Sequence, residues 1–368
     1  MRDSIPENAG AGHPRWRDRF LDRKTRIVIA GLISLAAFWA VRSLPSGAVP
    51  RNADAMVRAG QIMERAIQAV RLERDRPGAP IDLQLDPNRT GLIGPEASPL
   101  TTTLGELEAK RSTTNPNVAG LIVYLLDQAG VKPGDTVAIG SSGSFPALLI
   151  ASLAAAKAMD VHAVAILSLG ASSYGATDPD FTLLDIYGLL RREGICSLPP
   201  AAVSLGGEKD TGSDLDSSAR ERMIQKIRAA GVPFIEEPDL EKNVAARMRI
   251  YRDAASGRIA AFINSGGGYS NLGTSRLALD LRPGLNTGIS LPPAAQRGVL
   301  FEMAAVKVPV IHLLFIKGLA MRLGLPWDPI PLPRPGVIRP PGAAGYTGFW
   351  LIAATYFVLL LILAAVRR

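Results

Sequence analysis

The sequence predicts an α/β fold: a mostly parallel sheet flanked by helices, with one transmembrane helix at each end. Three observations predict it. Two uncharged apolar runs lie near the ends of the chain, Ile27–Val41 and Tyr346–Val366. Between them, a strand, a small-residue loop, a helix and a second strand follow one another within about 35 residues from Asp135, the pattern of a βαβ unit. The alternation of strand and helix then recurs more loosely as far as Leu323.

The first apolar run, IVIAGLISLAAFWAV, has 15 residues, with Lys24 and Arg26 before it and Arg42 after it. A bare helix needs roughly 20 residues to cross hydrocarbon. Thr25 and snorkelling by the flanking arginines extend the reach of this one. The competing reading is a cleaved signal peptide, with Ser46-Gly47-Ala48 as the small-residue site. The long basic segment before the run favours an uncleaved anchor over 27–45. The second run, YTGFWLIAATYFVLLLILAAV, has 21 uncharged residues and ends in Arg367 and Arg368. Its aromatics Tyr346, Phe349 and Trp350 stand where an interfacial belt would.

Positive charge beside the spans sets the expected orientation. Residues 1–26 hold seven Lys/Arg, and two more close the chain. Both tails therefore read as cytoplasmic, in an inner-membrane, two-pass protein whose residues 46–345 lie outside. Of the net charge of +8, the tail 1–26 carries +3, Arg42 +1 and the last two arginines +2, which leaves +2 on residues 43–366. The pI of 9.8 thus reflects membrane-flanking charge and does not argue for a nucleic-acid partner. The lone cysteine, Cys196, excludes an internal disulfide and reads as a small buried hydrophobe.

Within the outer part, Met56, Ile62, Met63, Ile67 and Val70 recur at helical steps over 53–74, as a stalk or a first packing helix. An extended, turn-rich stretch follows over Ile81–Gly105, then a helix over Asn117–Ala129. The βαβ unit comprises a strand Asp135–Gly140, a loop Ser141–Pro146, a helix Ala147–Met159 and a strand Val161–Leu167. Further strands are expected at Ala202–Leu205, Val232–Ile235, Arg258–Ile263 and Val308–Leu314, with helices over Ser217–Ala230, Asn243–Ser256 and up to Leu323. A division into two lobes near residue 200 is compatible with this spacing. Residues 325–342, LPWDPIPLPRPGVIRPPG, read as the core of a semi-rigid Pro-rich tether over 325–345.

In open α/β sheets, ligands gather at the carboxyl ends of the strands. Three Gly/Ser loops fall there: Gly140 and Gly143 within Gly140–Ser144, Gly206 and Gly207, and Asn264, Ser265, Gly266, Gly267 and Gly268. Glycines let backbone N–H groups approach a carboxylate or phosphate, although such turns also arise for steric reasons alone. Lys110-Arg111 would pair with an anion. Ser142 or Ser144 would serve as a nucleophile at the strand-to-helix turn, although Gly140–Ser144 is not a G-x-S-x-G elbow. His312 is then the candidate base, since His162 reads as structural. Asp210, Asp214 and Asp216 offer oxygen ligands without EF-hand spacing, and read as a solvated acidic loop capping the helix that starts near Ser217. No metal and no cofactor is expected.

Five strings, GLIGPEASPLTTTLGELEAKRSTTNPN (91–117), PGDTVAIGSSGSFPAL (133–148), SLGASSYGATDPDFTLLD (168–185), VSLGGEKDTG (203–212) and FINSGGGYSNLG (262–273), resemble the poly-γ-glutamate system protein family. The resemblance covers about 90–320. It implies an accessory role beside the synthase and export membrane subunits that make and move this capsule or slime polymer, with the polymer's carboxylates handled at the Gly/Ser loops. It brings no catalytic residue with it. A serine-type hydrolase or transferase acting on γ-glutamyl amides, and a scaffold working through its spans, stand as alternatives.

Overall fold

The computed structural model describes residues 23–43, 50–75, 81–339 and 346–365. The chain forms two compact units, Val49–Pro341 and a unit holding both chain ends. Its first helix, α1 (Arg23–Ser43), belongs to the latter.

The large unit opens with α2 (Ala53–Arg74). The helical stripe Met56, Ile62, Met63, Ile67 and Val70 is buried, so α2 is a packing helix and not a stalk. The strand β1 (Thr101–Thr103) and the helices α3 (Leu107–Thr113) and α4 (Asn117–Gln128) follow. Then comes the expected unit: β2 (Thr136–Ser142), α5 (Pro146–Ala158) and β3 (His162–Ser168). Proline at its first turn starts α5 without loss of a hydrogen bond. Every residue of α5 from Pro146 to Ala156 is buried, because α2 and α4 pack against it as well as the sheet. This is why its Ala/Leu sequence has no polar face.

The chain continues through β4 (Ala171–Ser172), α6 (Leu183–Arg192), β5 (Ala202–Ser204), α7 (Ser217–Ala229), β6 (Phe234–Ile235) and α8 (Leu240–Ala254). Then follow β7 (Ile259–Ser265), α9 (Tyr269–Leu272), β8 (Gly284–Asn286), α10 (Val299–Ala305), β9 (Val310–His312) and α11 (Ile316–Leu323). Neither α3 nor α6 is among the elements expected from the sequence. A capping box between Thr182 and Asp185 starts α6.

Seven strands form one sheet in the order β6-β5-β3-β2-β7-β9-β8. All its pairs are parallel except β8 with β9. β1 and β4 make a separate two-stranded ribbon. The sheet runs without a break through β3 and β5, so no lobe boundary falls near residue 200. Alternate residues of β2 enter two cores: Val137 and Ile139 face α2, α4 and α5, whereas Ala138 faces the side of α8 and α10. The expected loop residues Ser141 and Ser142, and likewise Asn264 and Ser265, are the last residues of β2 and β7. Small polar side chains fit there because neighbours on both sides complete the backbone pairing.

The Pro-rich segment is not a free tether, at least as far as Arg339. Asp328 receives both Arg111 Nε (2.8 Å) and Nη2 (2.5 Å), and its amide donates to Ser112 Oγ (2.8 Å). Asn117 holds the Arg334 carbonyl (3.1 Å) and the Gly336 amide (2.8 Å). Ile338 is buried, and a Cβ on Gly60 would come within 2.9 Å of Pro335. Prolines supply an extended backbone with few donors to satisfy, which suits a strap laid over helices α2 to α4. Residues 340–345 of the expected tether lie outside the described residues.

In the other unit, α1 lies beside α12 (Tyr346–Ala365). Their windows Lys24–Val41 and Gly348–Ala365 are long and apolar enough to cross a membrane, and neither is buried. At 1.5 Å per residue, about 20 residues span about 30 Å, the thickness of a hydrocarbon core. Ser34 Oγ and Tyr356 OH meet at 3.1 Å, a polar link between otherwise apolar surfaces.

Replacing Arg111 by alanine leaves the largely desolvated Asp328 carboxylate without its partner. The expected loss is about 2 kcal/mol of unfolding free energy, measured by denaturant titration. Limited proteolysis is expected to cut within 325–339 in this variant and not in the parent.

Candidate functional site

The strand order decides where a site forms. The chain fills one side of β2 with β3, β5 and β6 before crossing to β7 on the other side. The reversal opens a crevice at the carboxyl ends of β2 and its neighbours, the switch point at which such sheets bind ligands. A cavity of about 640 Å³ lies there. Its walls come from residues 102–106, 206–208, 267–269 and 314–317, with Ser142, Ser144, Ser168, Ser172 and Lys110.

Seven predicted site residues line this cavity: Lys110, Ser142, Ser144, Gly206, Gly207, Gly267 and Gly268. The other seven stand apart from it, and packing explains them. A Cβ on Gly140 would lie 2.7 Å from the Asn271 amide, on Gly143 2.5 Å from the Leu169 carbonyl, and on Gly266 2.5 Å from the Ser142 amide nitrogen. Those three glycines are steric requirements. Ser265 Oγ turns back to the Gly140 carbonyl (3.4 Å). Arg111 is occupied by Asp328. Asn264 Nδ2 donates to His312 Nδ1 at 3.1 Å.

The Ser–His pair expected from the sequence does not form. His312 has Asn264 as its side-chain partner and is not among the residues that line the cavity holding Ser142 and Ser144. Burial pushes the His312 pKa down to about 4, which keeps the ring neutral and weakly basic. His162, expected within an apolar strand, is the exposed first residue of β3.

On the α8 face of the sheet, Ser142, Ser168 and Ser204 stand side by side in register on β2, β3 and β5. Two of them are tied down. Arg247, wholly buried on α8, donates to Ser204 Oγ (2.7 Å) and Asp210 Oδ2 (2.6 Å), with Nε on Asn243 Oδ1 (2.9 Å). Ser204 Oγ donates in turn to Asp210 Oδ1 (2.8 Å), and Asn243 Nδ2 donates to Asp210 Oδ2 (3.0 Å). Asp210 is therefore buried in an ion pair, against the expectation of a solvated loop. Asp216 does cap α7, accepting from the Ser218 (2.9 Å) and Ala219 (3.1 Å) amides. The Ser218 hydroxyl holds its carboxyl below the usual range. Asp214 accepts from the Glu208 amide (2.8 Å) and braces the turn after Gly206 and Gly207, both of which have positive φ. Among the described residues no cluster of metal-ligating side chains occurs.

Ser142, the third member of the row, is different. It is 4% exposed, and its hydroxyl has no hydrogen-bond partner among the described residues. Ser141 Oγ, Asn264 Oδ1, Ser270 Oγ and Asn271 Oδ1 are likewise buried and unpartnered at this end of the sheet. Such groups are costly to bury and cluster where water or a ligand completes them.

Charge in the cavity is mixed. Glu106, Glu208 and Asp214 line it, as do Lys110 and Lys317. Lys110 is 2% exposed; its Nζ reaches the Ser144 carbonyl and Ser172 Oγ (2.5 Å) and sits 3.9 Å from the centre of the Phe145 ring. Burial pushes its pKa down to about 7. Lys317 lies near Trp327. Leu104 and Phe315 are exposed beside the cavity, and Phe315 takes a left-handed φ of 62° with its ring over Gly318. Nothing local in the sequence marks Ser172 or Arg247. Their roles depend on partners 62 and 37 positions away, respectively.

Comparison of the chain with protein-family models, with curated proteins and with solved structures returned no match.

Replacing Arg247 by methionine strands the Asp210 carboxylate in the core. A loss of about 3–5 kcal/mol is expected, read from denaturant unfolding. Adding Asp210→Asn to the same chain is expected to recover part of it.

Proposed function

We propose that this chain is a membrane-anchored accessory protein of poly-γ-glutamate synthesis or export, and that the switch-point cavity holds γ-glutamyl carboxylates. One observation carries the reading: the Ser142 hydroxyl is buried, unpartnered and on the wall of a polar cavity. Two more support it. A Cβ on Gly267 would meet nothing nearer than 3.6 Å and one on Gly268 nothing within 4 Å, so the backbone there has open space beside it for a ligand. Lys317 adds a cation to the same wall. A carboxylate needs just such convergent donors.

The near-neutral outer portion suits local recognition over broad polyanion attraction. The apolar helices α1 and α12 suit anchorage in lipid and contact with the membrane subunits of a synthase. The basic flanks put both tails on the cytoplasmic side and the large unit outside. A reporter fused near Ala255 is expected to be active only when it is of the kind that works outside the cytoplasm. Activity of the opposite kind overturns the orientation.

The binding reading is tested on the full chain in lipid nanodiscs, titrated by calorimetry with a γ-linked glutamate oligomer and with an α-linked one as control. Preference for the γ-linked oligomer is expected. Gly267→Val is expected to leave folding intact and to weaken binding about 10-fold, equivalent to about 1.4 kcal/mol. Equal affinity in parent and variant, or no binding by the parent, overturns the reading.

A further inference from the structure

The cavity contains a pair of groups that carboxylate binding leaves unused. Lys110 on α3 and Ser172 on β4 are 62 positions apart in sequence, yet Nζ lies 2.5 Å from Oγ. The Ser172 amide donates to Ser144 Oγ (3.0 Å), which fixes the backbone that carries the hydroxyl. Lys110 has no carboxylate partner among the described residues: Glu106, Glu208 and Asp214 share the cavity, and Glu108 and Arg111 share its helix, but its hydrogen bonds go to Ser144 and Ser172. Three acceptors surround Nζ, the Ser144 carbonyl, Ser172 Oγ and the Phe145 ring, and they take the three N–H groups of the ammonium. When the ammonium loses a proton, the lone pair can replace the N–H directed at Ser172 and accept the proton of its hydroxyl.

We propose that Ser172 and Lys110 form a nucleophile–base pair that cleaves or transfers γ-glutamyl amide bonds held in this cavity. The substrate class rests on the binding reading above, whereas the pair itself rests on the geometry of Lys110 and Ser172. In the step, Lys110 Nζ takes the hydroxyl proton as Ser172 Oγ bonds to the acyl carbon. The ammonium then gives that proton to the amide nitrogen as the C–N bond breaks. An amine leaves, and the acyl group remains as an ester on Ser172. Water activated by the neutral Lys110 releases the acid and restores the hydroxyl, and an amine in place of water forms a new amide. Burial holds Lys110 near pH 7, so the base exists at neutral pH.

The test uses the full chain in nanodiscs with two probes. The first is a γ-linked glutamate oligomer, with new amino ends counted chemically. The second is a small fluorophosphonate, which labels an activated serine whatever its natural substrate. Wild type is expected to shorten the oligomer, at a rate that rises with pH through about 7 and then levels as Lys110 loses its proton. Ser172→Ala and Lys110→Arg are each expected to lose at least about 100-fold in rate while still binding the oligomer, because arginine keeps the charge without serving as a base. Circular dichroism and oligomer affinity of both variants report folding, and Ser172→Cys supplies a second nucleophile, trapped by a thiol reagent only when Lys110 is intact. Labelling of Ser172 that depends on Lys110, without oligomer cleavage, upholds the pair and removes the polymer as its substrate. No labelling and no cleavage by wild type, or equal rates in Ser172→Ala, overturns the proposal.

Discussion

The structure depends on the parallel pairing of β2 with β3 on one side and β7 on the other. Because the chain builds outward from β3 before it returns to β7, the connections after β2 and β7 leave the sheet in different directions. The carboxyl ends of these strands are therefore left without a covering apolar layer. What fills the space is a set of small residues, Ser142, Ser168, Ser204 and the glycines that follow the strands. Larger side chains are excluded there by backbone that already occupies the room, as the contacts around Gly143 and Gly266 show.

Two solutions to buried polarity stand next to each other in that row. At β3 and β5 the hydroxyls are closed into a network by Arg247, Asp210 and Asn243, in which each charge has its partner and its hydrogen bonds. Such a network contributes to holding one arrangement of the 206–212 turn more than to raw stability, since a desolvated ion pair is close to neutral against an apolar replacement. At β2 the hydroxyl of Ser142 is left open. The difference lies in reach: Arg247 comes from α8 to Ser204 and Asp210, whereas over β2 Tyr251 of the same helix donates to the Ile139 carbonyl (2.8 Å) and not to the Ser142 hydroxyl. The rigid half thus frames the unfinished half.

Local pattern made much of this fold legible in the sequence. The unit β2–α5–β3 announces itself through an apolar strand, a small-residue turn and an Ala/Leu helix, and α2 through its buried stripe. Elements fixed by distant partners did not show. The helix α3 carries few apolar residues and is held by Lys110, Arg111 and Ser112, whose partners come from the turn after β2, from β4 and from the Pro-rich strap. The strap itself reads as a spacer by composition, because proline content reports backbone stiffness and says nothing of what the segment lies against. The Gly/Ser loops were found, yet only some of their glycines face the cavity. Glycine spacing alone does not separate the residues that make room for a ligand from those that make room for a neighbouring strand.

His312 and Lys110 show why identity is a poor guide to a basic group at this site. Histidine has the nearly neutral pKa that suggests a base, but burial pushes it well below that value, and its side-chain partner is Asn264. Lysine begins far too basic, and burial pushes it toward neutrality while its Nζ stays within hydrogen-bond reach of the Ser172 hydroxyl. Desolvation acts in the same direction on both cations. It spoils the group that starts near pH 7 and tunes the one that starts above 10. An amine buried against a carbonyl, an aromatic face and a serine, with no carboxylate partner among the described residues, is the arrangement that the proposed nucleophile–base pair requires.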